Sequence, residues 1–93
     1  MTTTTINFER IGTIDDFYKL LKQELPLPEY FGDNLDALWD VLTGDIDLPA
    51  QIQFTNMTLN QLEQFDKLIM VFEDAAAELG EDFIFEYYLN VNQ

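Results

Sequence analysis

Three observations on this 93-residue chain predict a two-layer α/β fold. Segments of period-two hydrophobicity are separated by segments of helical periodicity, in the order strand, helix, helix, strand, helix, strand. Strands joined through helices pair in parallel by crossover connections. The first two strand segments carry polar residues at alternate positions, so helices are expected to cover one side of a small sheet and leave the other wet.

Thr5, Ile6, Asn7 and Phe8 alternate polar with apolar residues and form the first strand, with the β-branched threonines before them extending easily. From Thr13 the pattern turns helical: Thr13 can cap with Asp16 three residues on, and Phe17, Leu20, Leu21 and Leu25 recur on one face. Pro26 and Pro28 end this helix. Glu29 to Gly32 reads as a loop, and Asp33 or Asn34 is the natural N-cap of a second helix that closes at Thr43-Gly44. After Pro49, the residues Ala50, Ile52 and Phe54 alternate with Gln51 and Gln53 as a second strand. Leu62, Phe65, Leu68, Ile69, Phe72, Ala76 and Leu79 form an apolar stripe over 58–79, compatible with one helix or two. Gly80 stops it, and Phe83 to Leu89 is a third strand with strong β formers on both faces. A chain of this length carries one core, so residues 1–93 are expected to be a single domain.

Composition narrows the chemistry. Eighteen Asp or Glu against four Lys or Arg leave a net charge of −14, which repels nucleic-acid backbones and anionic lipid and attracts cations, a basic protein above all. There is no Cys and no His, so no disulfide, no thiol nucleophile, no imidazole base and no usual transition-metal ligand. No basic and apolar leader opens the sequence and no apolar run reaches membrane-spanning length, which fits a cytoplasmic protein. The composition argues against an enzyme and calls for no cofactor.

The second helix carries the functional signal. At about 100° per residue, Leu35, Leu38 and Leu42 make a core-facing stripe, while Asp33, Asp36 and Asp40 fall in an arc on another side. Trp39 stands between the two, where packing at the core edge competes with a role as an interface anchor. Asp45 and Asp47 follow just beyond the helix end. Carboxylates in the first turn satisfy free N–H groups and the helix dipole, which accounts for Asp33 and Asp36 without a partner. Asp40 lies deeper, at an unfavourable i+4 spacing from Asp36 with no Lys or Arg within a turn. Either solvent tolerates it or a basic partner uses it. Tyr30 or Phe31 can act as an apolar staple before the helix.

The run from Leu27 to Gly44, LPEYFGDNLDALWDVLTG, resembles the defining segment of the barstar family, L-P-x-Y-[YF]-G-x-N-L-D-A-L-W-D with a Thr-Gly end. This family comprises intracellular inhibitors of a secreted bacterial ribonuclease. The resemblance implies a three-stranded parallel sheet packed by three to four helices, with the second helix and the loop before it plugging the nuclease active site. It implies that Asp40 is the central anion and Asp36 its neighbour, standing in for substrate phosphates. Tyr30 would be the aromatic contact, with Asn34, Thr43 and Gly44 as the polar surround. After Val71-Phe72, Asp74 matches the family's acidic residue on the last helix better than Glu73 does. Two departures touch the rim: Asp45 stands where the family's type member has Trp, and the connection from Phe54 to Val71 is shorter.

The expected function is therefore stoichiometric inhibition of a basic endoribonuclease toxin, as an immunity protein that is monomeric when free. The same scaffold retargeted to another basic protein or toxin is the alternative. A metal-dependent hydrolase using the helix carboxylates is the third reading, weakened by the lack of a calcium-loop motif and by the poor ligand spacing of a helix face.

Overall fold

The computed structural model describes residues 2–29 and 31–90. Its elements run β1 (Thr2–Asn7), a 3-10 turn (Phe8–Arg10), α1 (Ile14–Glu24), α2 (Leu35–Gly44), β2 (Ala50–Met57), α3 (Leu59–Gln64), α4 (Asp66–Leu79), a second 3-10 turn (Gly80–Asp82) and β3 (Phe83–Leu89). The three strands form one parallel sheet in the order β1-β2-β3. Ile6 lies opposite Phe54, and Ile52 opposite Phe85.

One face of the sheet is dry and the other wet, as the alternation predicts. Ile6, Ile52, Phe54 and Phe83 point inward and are buried. Phe54 sits at the centre of an aromatic cluster, its ring centroid 4.7 Å from Phe8, 4.9 Å from Phe72 and 5.6 Å from Phe17. Offset and edge contacts of this kind add to the burial of the rings themselves. On the other face, the Thr3 hydroxyl donates to Gln51 Oε1 at 3.4 Å, and Gln51 Nε2 donates to Glu86 Oε1 at 3.0 Å. These are polar cross-strand contacts of a solvated sheet face.

Local chemistry sets the element boundaries. The Thr13 hydroxyl accepts from the Asp16 N–H at 3.2 Å, and Asp16 Oδ2 accepts from the N–H groups of Thr13 at 3.1 Å and Gly12 at 3.0 Å, so the capping box forms as read from the sequence. Phe8, assigned above to the first strand, instead belongs to the 3-10 turn. Asn7 Oδ1 accepts from the Glu9 N–H at 3.0 Å, which turns the chain and sends Phe8 into the core. β2 continues past Phe54 to Met57.

The 58–79 segment is two helices. Thr58 and Gln61 form a second capping box at the start of α3, and Phe65 (φ −107°, ψ 26°) interrupts the helical run before α4. Its buried ring lies 5.7 Å from Phe8. Gln61 is fully employed: Oε1 accepts from Thr58 N–H, and Nε2 donates to the carbonyls of Phe8 at 2.9 Å and Ile11 at 2.8 Å. This one amide ties the β1–α1 connection to α3. At the other end of α4, Gly80 adopts φ 62° and ψ −133°, a region open to glycine at little steric cost.

Candidate protein-binding site

α2 packs chiefly against α4, with Leu38, Val41 and Leu42 buried and Leu35 partly so. This apolar stripe fixes the rotation of the helix and turns Asp36 and Asp40 to solvent. Asn34 is the N-cap: its Oδ1 accepts from the Ala37 N–H at 2.8 Å, and its Nδ2 donates to the Gly32 carbonyl at 3.1 Å.

Asp33 lies outside the helix and leaves the predicted carboxylate row. It adopts a left-handed backbone (φ 51°), and its Oδ1 stands 2.6 Å from Lys22 Nζ. Asp33 and Phe31 are held to α1 by two residues one turn apart. Lys22 holds Asp33, and Tyr18 meets the buried Phe31 edge-on at 5.8 Å. Lys22 Nζ also lies 5.8 Å from the centroid of the Phe31 ring. Burial raises the phenol pKa of Tyr18, and the nearby Asp33 charge raises it further. Phe31 is thus an anchor against α1, whereas Tyr30 lies outside the described residues.

Beside α2 opens a depression of about 440 Å³, lined by Phe31, Gly32, Asn34, Asp36, Ala37, Asp40, Val41 and Asp45. Its floor is apolar, and three carboxylates and an amide stand around it. No Lys or Arg lines it. Such a hollow suits a cationic side chain whose aliphatic stem or ring can rest on the apolar floor.

The remaining predicted residues are arranged around this hollow or away from it. Trp39 is half-buried and packs against the core on the opposite flank of the carboxylate row from Ala37 and Val41. Thr43 turns its hydroxyl back to the Trp39 carbonyl at 2.8 Å. Gly44 is exposed, and a Cβ added there would meet nothing within 4 Å. Asp47 is exposed in the connection to β2, and Asp74 is exposed on α4, neither lining the hollow. Sequence reasoning missed Gly32, Ala37 and Val41. The signal was present, because Ala37 and Val41 are one turn apart beside Asp36 and Asp40. Among the described residues, no three His, Cys, Asp or Glu side chains are grouped to hold a metal ion, and no helix is long and apolar enough to cross a membrane.

The protein-family model described as Barstar (barnase inhibitor) matches residues 1–89, which include every element above. Over 82 residues the chain is 39% identical to "Putative ribonuclease inhibitor YrdF" of Bacillus subtilis (strain 168), covering 83% of this chain and 85% of that protein. With the sheet order, the helices and the α2 segment in agreement, the chain belongs to the barstar family.

Proposed function

We propose that this chain is a stoichiometric inhibitor of a basic endoribonuclease, acting as one domain in the cytoplasm without catalysis of its own. The observation that carries the reading is the hollow beside α2, where Asp36, Asp40 and Asp45 surround a floor of Phe31, Ala37 and Val41. A ribonuclease active site must hold successive phosphates with Arg, Lys or His. A rigid helix face offering carboxylates one turn apart presents anions where substrate presents phosphates. Asp40 is the central anion and Asp36 its neighbour, with Asn34, Thr43 and Gly44 around them and Tyr30 the aromatic contact. Asp47 and Asp74 extend the negative field from the α2–β2 connection and from α4, and Trp39 supports the helix from its other flank.

The Asn34 cap and the Tyr18 and Lys22 contacts hold Phe31, Asp33 and Asn34 in place before the partner arrives, so less ordering entropy is lost at these residues on binding. The net charge of −14 accelerates encounter with a basic enzyme. Asp45 adds a third carboxylate to the hollow, which favours a partner with cationic groups at that rim and sets its identity. Titration of a basic, barnase-like ribonuclease with the purified chain tests the reading. Activity is expected to fall linearly to zero at one chain per enzyme, and full activity at several-fold excess of the chain would overturn it.

A further inference from the structure

β3 ends the sheet, with β2 on one side and, among the described residues, no strand on the other. An edge strand turns alternate N–H and C=O groups outward, where they can pair with another extended chain. β1, the other edge, is mostly threonine, whereas β3 reads FIFEYYL and leaves Ile84, Tyr87, Tyr88 and Leu89 between 36% and 47% exposed.

Along β3 lies a depression of about 470 Å³, lined by Glu73, Ala76, Phe85, Glu86, Tyr87 and Tyr88. Successive strand residues point to opposite faces. One depression that touches all four of 85 to 88 therefore follows the strand's free edge, with Glu73 and Ala76 of α4 as its far wall. Among the described residues, two carboxylates and three aromatic rings surround it, and no Lys or Arg does. Glu86 is held in place by two donors: Gln51 Nε2 donates to Oε1 at 3.0 Å, and the Tyr88 hydroxyl donates to Oε2. Both donors are neutral, so they orient the carboxylate and leave its charge available to a cation.

We propose that the free edge of β3 is a second protein-docking surface, taking an extended Arg- or Lys-bearing segment of a basic protein as a fourth strand. Backbone pairing supplies register. Cationic side chains on one face of the added strand meet Glu73 and the rings of Phe85 and Tyr87, and those on the other meet Glu86 and Tyr88. The same carboxylates reject a second copy of this acidic chain, which would bring its own Glu73 and Glu86 to the contact. The surface shares no lining residue with the hollow beside α2, so it works independently of the proposed inhibition.

The test is titration of the full, 15N-labelled chain with an acetylated peptide of Arg-Arg-Val-Val repeats, which offers Arg on both faces of an extended chain, followed by NMR. Amide shifts are expected over Phe83–Leu89 and around Glu73, and they should persist in the Asp40→Ala variant. Joint replacement of Glu73→Gln and Glu86→Gln should weaken binding roughly threefold or more. Glu73→Gln alone, at an exposed helix position, serves if the double variant unfolds, and should weaken binding measurably. Shifts confined to the α2 hollow, or unchanged affinity in the variants, would overturn the proposal. So would β3 shifts produced by concentrating the chain alone, since a second copy would then be the occupant. Failure to inhibit a ribonuclease would leave all of these readouts unchanged.

Discussion

Lys22 Nζ stands 2.6 Å from Asp33 Oδ1, and this contact ties Asp33 to α1, apart from the α2 face that carries Asp36 and Asp40. Both side chains are nearly half exposed, so solvent screens the pair and its contribution to stability is small. Lys22→Met should lower stability by less than about 1 kcal/mol in urea unfolding. Asp33→Gly should be nearly neutral, because glycine relieves the left-handed backbone as the ion pair is lost. For partner binding, Asp33→Ala should matter far less than Asp40→Ala, since Lys22 already offsets its charge.

The N-cap of α2 is a separate determinant. Asn34→Ala removes the acceptor for the Ala37 N–H and should cost about 0.5–2 kcal/mol, whereas Asn34→Asp keeps an acceptor and should recover most of it. Thermal melts of the two variants check this ordering.

Asp16 predicts an acid-side pH dependence. The backbone N–H of Gly12, then that of Thr13, hold its carboxylate pKa below the ordinary value of 3.8. A lowered folded-state pKa means that the unfolded chain binds the proton more readily. The contribution is therefore complete above the ordinary carboxylate range and is lost as pH falls through the lower, folded value. Asp16→Asn should flatten this part of the stability profile relative to the parent, as read by denaturant unfolding at a series of acidic pH values.

At the end of α4, Gly80→Ala should destabilise by about 1–3 kcal/mol although a Cβ there meets no atom within 4 Å. The cost is that of holding alanine at φ 62° and ψ −133°, so Gly80→Asn, which tolerates positive φ better, should cost less. A melting comparison of the two variants measures it.

Much of this architecture was legible because its determinants are local. The Thr13 and Asp16 capping box, the Leu35, Leu38 and Leu42 stripe and the Gly80 stop each act within a few residues of sequence. The turn at Phe8 and the helix break at Phe65 were harder to read, because the two rings pack on each other across the fold and Phe8 packs on Phe54 as well. Gln61 carried no signal beyond its capping box, since the Phe8 and Ile11 carbonyls it binds lie some fifty residues away. At the candidate site, helical periodicity placed Asp36 and Asp40 on one exposed face. It could not foresee that Lys22 would draw Asp33 aside, because that contact depends on how α1 meets the loop before α2.

The most direct test of the central proposal replaces Asp40 by Ala and reads ribonuclease inhibition and melting temperature on the same preparation. Leaving a partner cation desolvated and unpaired should weaken binding roughly thirtyfold or more, a magnitude typical of interfacial charge pairs, the family's own complex among them. The melting temperature should stay the same or rise, because Asp36 and Asp40 lie at a mutually repulsive i+4 spacing. Undiminished inhibition by a folded Asp40→Ala variant, measured near the parent's dissociation constant, would contradict the account and remove α2 as the inhibitory surface.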